Sequence, residues 1–90
     1  MSEDKAKYGR TKTLDSFKTR LYKEEEELRD KILKLNGFIV SDAFKTVSLT
    51  QSTLLIEQLS AMKQYHKCLS SRIKDIEEQE NKERLKNELR

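Results

Sequence analysis

The 90-residue chain has no proline, no tryptophan, two glycines and a single cysteine. Each shortage closes off a class of structure. Without proline, nothing in the sequence forces a helix to break. Without a glycine-rich stretch there is no loop of the kind that cradles phosphates, and no nucleophile elbow is present either. Cys68, as the one cysteine, cannot form an internal disulfide, and a free thiol suits a reducing cytosol. With His66 as its only histidine neighbour it falls short of the about four ligands that structural zinc requires. No apolar run approaches the roughly 20 residues of a membrane span, and the opening MSEDKAKYGR lacks the hydrophobic centre of a signal peptide. A soluble, cytosolic protein without cofactor or metal is expected.

Apolar residues are also scarce. They make up 34% of the chain against 39% charged, which is lean for a core that must hold one small domain together alone. The expected working form is therefore an oligomer. Net charge is +3, unevenly spread. Lys5, Lys7, Arg10, Lys12, Lys18, Arg20 and Lys23 crowd the first quarter, where the acids are only Glu3, Asp4 and Asp15. Such a basic segment points to an anionic partner (nucleic acid, a nucleotide or an acidic protein) or else forms a plain solvated face.

What the chain does have is helical periodicity. Leu55, Leu59, Met62, His66, Leu69, Ile73 and Ile76 step forward by alternate fours and threes, the spacing that keeps one stripe of an α-helix against a partner. Leu14, Phe17, Leu21, Leu28, Ile32 and Leu35 form a looser stripe. Two stripes with Gly37 after the first predict an all-α fold: an antiparallel helical hairpin behind a short N-terminal arm, oligomerising through its apolar seams. The expected divisions are a basic arm over 1–12, the hairpin over 13–76 and a charged helical tail over 77–90. Thr13 or Asp15 is the expected cap of the first helix and Gly37 its left-handed stop, after about Asn36. The connection from Phe38 to Thr50 is too apolar for a solvated loop. A short helical turn around Asp42 to Lys45 is expected there, with Ser48 or Thr50 capping the second helix.

No residue set reads as catalytic. The acids lie in runs, Glu24 to Glu27 and Glu77 to Glu80, where solvent-facing positions are the ordinary reading. Histidine is the side-chain type that ordinarily changes charge near neutrality, but His66 sits in the seam, where a packed or hydrogen-bonded role fits better than catalysis. The chain reads as a binder and not an enzyme. A compact anionic ligand needs cations for phosphate and an aromatic face for its bases. Tyr8 and Arg10 offer one of each in the arm. Arg20 and Lys23 lie about one turn apart on the first helix, beside Tyr22. Lys63, His66, Lys67 and Arg72 form a polar flank along the second.

The stretches RLYKEEEELRDKILKLNGFI and AFKTVSLTQSTLLIEQLSAMKQYHKCLSSRI resemble the phage anti-CBASS cyclic-oligonucleotide sponges. The shared features are R-L-x-x-E-x-x-E-L, K-L-x-x-F-I and L-L-x-x-Q-x-x-A-M-x-x-Y-x-x-x-L-x-x-R-I, covering Arg20 to Ile73. The resemblance implies a hexamer of helical hairpins in the host cytoplasm. It would hold cyclic di- and trinucleotides made by bacterial immune synthases without cleaving them, with no stable nucleic-acid partner and no membrane. The family's dinucleotide pocket uses an aromatic near the N-terminus and a lysine early in the first long helix, drawn from neighbouring protomers. Tyr8 and Lys23 are the nearest matches, with Arg20 as substitute. A separate trinucleotide pocket uses a basic residue of the second helix, for which His66 and Arg72 are candidates. Read without the resemblance, the same residues also allow a nucleic-acid-binding accessory protein or a structural helical adaptor with no small ligand.

Overall fold

A computed structural model describes the backbone of residues 2–88 and the side chains of residues 16–88. Helix α1 spans Ser2–Ile39, a short 3₁₀ turn spans Asp42–Thr46, and helix α2 spans Leu49–Glu88. Among the described residues there are no strands, and no helix is long and apolar enough to cross a membrane. The two helices lie antiparallel in a slab 62 × 36 × 15 Å. The long dimension matches the rise of about 40 helical residues, and the thin one leaves room for little more than one helix diameter. All burial therefore lies along one line between α1 and α2.

That line is the seam read from the sequence. Leu59 and Leu69 are buried, and Leu55, Met62, His66, Ile73 and Ile76 are half-buried, while the residues between them are exposed. On α1, Leu21 and Leu28 are buried and Ile32 and Leu35 half-buried. Leu21, Leu28 and Leu69 make the core, packed by Ile32, Met62, Ile73 and Ile76. Leu14 lies outside the described side chains. Phe17 is 37% exposed and belongs to the edge of the stripe. The seam of α2 is thus used up on α1 of the same chain. The apolar surface left over is elsewhere: Leu33, Val40, Leu49, Leu54, Ile56 and Tyr65 are 45–83% exposed.

Both boundaries of α1 differ from expectation. The helix begins at Ser2, so Thr13 and Asp15 are interior positions and not caps, and the expected arm is helical backbone from its second residue. At the other end the helix runs through Gly37 to Ile39. Phe38 and Ile39 are half-buried, and the Phe38 ring meets Phe44 edge-on at 6.1 Å. Burying these two side chains offsets the roughly 1 kcal/mol that a helical glycine costs relative to alanine. The stop comes one turn later, where the Ser41 hydroxyl donates to the Phe38 carbonyl at 2.6 Å. The expected short turn is present, and Ser48 caps α2 by accepting from the Gln51 N–H at 3.1 Å.

Candidate functional site

Among the described residues, the polar contacts that cross the hairpin lie on its open half. Lys18 pairs with Glu80, the Tyr22 hydroxyl donates to Glu77 Oε2 at 2.8 Å, and His66 Nε2 lies 2.8 Å from Glu25 Oε2. An ionised carboxylate only accepts, so the imidazole carries its proton on Nε2 here. Arg29, one turn on, donates to the same carboxylate through Nε at 3.0 Å. Arg29 and then His66 hold the Glu25 carboxyl below the usual range, and Glu25 in turn raises Arg29. The Glu77 carboxylate raises the Tyr22 phenol. Glu77 and Glu80, read as solvent-facing, are exposed and in addition reach across to Tyr22 and Lys18 of α1. Glu25 was missed inside the run Glu24 to Glu27, although it falls at the fours-and-threes position between Leu21 and Leu28.

The expected binding residues separate into groups. Tyr8 and Arg10 lie outside the described side chains. Arg20 and Lys23 are exposed, and among the described residues neither is paired with an acid. His66 is half-buried, and its Nε2 is engaged by Glu25. It does not share a flank with Arg72: by helical spacing, Arg72 lies on one side of the α2 seam and Lys63 and Lys67 on the other. Arg72 instead stacks its guanidinium on Phe17, 5.4 Å from the ring centre. A stacking aromatic and a cation therefore meet across the helices, a pairing not visible when Phe17 is read only as an apolar stripe residue.

Phe17 and Arg72, with Ser71, Asp75 and Ile76, line an open groove of about 410 Å³. Arg20 is one turn along α1 from Phe17 and Lys23 one turn further. Two other surface depressions have the wrong sign for an anion. One is lined by Glu26, Glu27, Arg29, Asp30 and Leu33, the other by Lys74, Glu77, Glu78, Glu80, Asn81 and Arg84. The Phe17–Arg72 groove differs in bringing an aromatic ring and a guanidinium together, with Asp75 balancing the Arg72 charge. Among the described residues no three His, Cys, Asp or Glu side chains converge to hold a metal ion.

Two long antiparallel helices packed along one apolar seam place the chain among small helical-hairpin proteins. The Sequestin family model matches residues 15–75, and the chain belongs to that family. It is also 38% identical over 58 residues to an uncharacterized 7.5 kDa protein from the denB-rIIB intergenic region of Enterobacteria phage T4. That match covers 64% of this chain and 91% of the phage protein. No solved structure matches.

Proposed function

We propose that this protein is a phage-encoded sponge: it binds cyclic di- and trinucleotide immune messengers, withholds them without cleavage, and so blocks CBASS signalling in the host cytoplasm. Membership of the Sequestin family over residues 15–75 is the observation that carries the reading, because the family's name describes sequestration. The phage T4 relative agrees with a phage origin. The chemistry is compatible. A sponge needs affinity and no turnover; the Phe17–Arg72 groove offers an aromatic ring and a guanidinium, and exposed Arg20 and Lys23 add cations on the same helix as Phe17.

The working unit in this reading is a homo-oligomer, a hexamer as in the resembling sponges. Its supporting observation is the exposure of Leu33, Val40, Leu49, Leu54, Ile56 and Tyr65 on a hairpin whose seam is already filled. Copies related by symmetry would bring identical side chains to both phosphates of a pseudo-symmetric cyclic ligand. Tyr8, Lys23 and Arg20 belong to the dinucleotide pocket. For the trinucleotide pocket Arg72 is favoured over His66, whose ring is held by Glu25.

The test is calorimetry against a panel of cyclic di- and trinucleotides, followed by heat denaturation and chromatography of the released ligand. Saturable binding with intact ligand recovered is expected. Absence of binding across the panel, or linear products that depend on the protein, would defeat the proposal. A salt series separates it from nucleic-acid binding, since phosphate-backbone contacts lose affinity steeply as counterions are released.

A further inference from the structure

Between Leu21 and Leu35 on α1 and between Leu55 and Ile76 on α2, each helix carries one polar seam position. On α1 the seam reads Leu21, Glu25, Leu28, Ile32 and Leu35. On α2 it reads Leu55, Leu59, Met62, His66, Leu69, Ile73 and Ile76. These two polar positions are the ones that meet, at 2.8 Å, with side chains 17% and 26% exposed. Every other residue in both lists is apolar, so apolar packing alone would tolerate a slide of one heptad. We infer that the Glu25–His66 layer selects the register of the hairpin. In a register displaced by seven residues, Glu25 faces Leu59 while His66 faces Lys18, or Glu25 faces Ile73 while His66 faces Ile32. The half-buried carboxylate then loses its cross-helix donor and keeps only Arg29, which disfavours the displaced register. Polar pairs in a helical seam are known to fix alignment in this way at some cost in stability. Arg29 stays beside Glu25 in any register, being on the same helix, so it does not discriminate. Lys18–Glu80 and Tyr22–Glu77 are also lost in such a slide, which sets Lys18 against Ile73 or Asn87 and Tyr22 against Ser70 or Arg84, but exposed contacts of this kind contribute little.

Spin-label distances test this. Cys68 is replaced by serine, labels are placed at exposed Thr19 and Thr53, which lie far apart along the helix axes, through cysteine substitutions, and labelled chains are diluted into excess unlabelled protein. The parent should give one distance. E25L/H66L, which makes the seam wholly apolar, should add a second population displaced by roughly 10 Å, the rise of seven helical residues. The exchanged pair E25H/H66E should return a single distance. One distance in E25L/H66L, or two in the exchanged pair, overturns the inference. Melting provides a second reading. E25L and H66L alone should each melt below wild type, and E25L/H66L above either single variant. A double variant that melts below both singles also overturns it.

Discussion

Glu25 on α1 and His66 on α2 hold one another at 2.8 Å inside an otherwise apolar seam. Arg29 shares the carboxylate, so a negative charge at the edge of the core has a donor from each helix. The carboxyl is held below its ordinary value, first by Arg29 and then by His66. A depressed folded pKa means that its stabilising contribution is complete above the unfolded value of about 4.3 and is lost as pH falls through the lower folded value. Wild type should therefore lose stability more steeply below about pH 4.3 than Glu25→Gln. Glu25→Ala at neutral pH should cost about 1 kcal/mol, since the pair is partly in water. Urea unfolding followed by circular dichroism across pH reads both. Parallel acid limbs for wild type and Glu25→Gln would show that another carboxylate dominates.

Leu69 is 1% exposed and joins Leu21 and Leu28 in the core. Leu69→Ala should cost about 2–3 kcal/mol, the low end for a buried leucine, because a seam between two helices can close partly over the gap. Leu49→Ala, at a position 83% exposed, should leave the hairpin's own unfolding almost unchanged. Comparing the two by thermal melts at one fixed protein concentration checks the assignment. Equal losses would mean that the core extends to surfaces free in the single chain.

Much of this fold was legible in the sequence because one physical signal dominates it. A stripe with the α-helical period must be buried somewhere, and the seven seam positions of α2 are its least exposed ones between Leu55 and Ile76. The Ser48 cap and the short turn after Asp42 were legible for the same local reasons. Gly37 misled because helix termination is a competition, and the half-buried Phe38 and Ile39 won it. The site was less legible. Whether Phe17 stacks on Arg72, or Glu25 on His66, depends on which residues face each other across the hairpin. A single stripe says where the seam is but not what lies opposite. Flanking positions such as Lys63 and Arg72 looked alike until the handedness of the helix put them on opposite sides.

Gly37 lies within α1, and a side chain built on it would meet no other atom within 4 Å. Gly37→Ala should thus stabilise the hairpin by roughly 0.5–1 kcal/mol, the helix-interior preference for alanine. A rise in the urea midpoint with unchanged slope is the expected result. A fall would mean that assembly brings another chain against this position.

Leu54 and Ile56 are 50% and 53% exposed, on a helix whose buried face is already paired. If these side chains join copies of the chain, Leu54→Glu with Ile56→Glu should lower the mass measured by sedimentation equilibrium while leaving helical content intact. Met62→Glu with Leu69→Glu should instead unfold the hairpin itself, because those two side chains pack within one chain. Loss of helicity in the first variant, or its retention in the second, would reverse the division between core and assembly surface.

The binding residues make the final prediction. Tyr8→Ala and Lys23→Ala should each weaken cyclic dinucleotide binding about ten- to hundred-fold, the equivalent of losing roughly 1–3 kcal/mol of stacking or phosphate contact. Arg72→Ala and Phe17→Ala should weaken cyclic trinucleotides more than dinucleotides, since the guanidinium and ring act as one stacked unit. Lys5→Ala is the control, with a similar charge change near the N-terminus and no assigned role. None of these changes removes a core leucine, so circular dichroism should stay at the wild-type level, and any affinity lost is then a property of the pocket. His66→Gln separates the pocket from the seam: it should lower the melting temperature by breaking the contact to Glu25, yet leave trinucleotide affinity within a few-fold at a temperature where the variant is folded. A large affinity loss in His66→Gln with an unchanged melt would return the imidazole to the ligand and displace Arg72 as the second-helix cation.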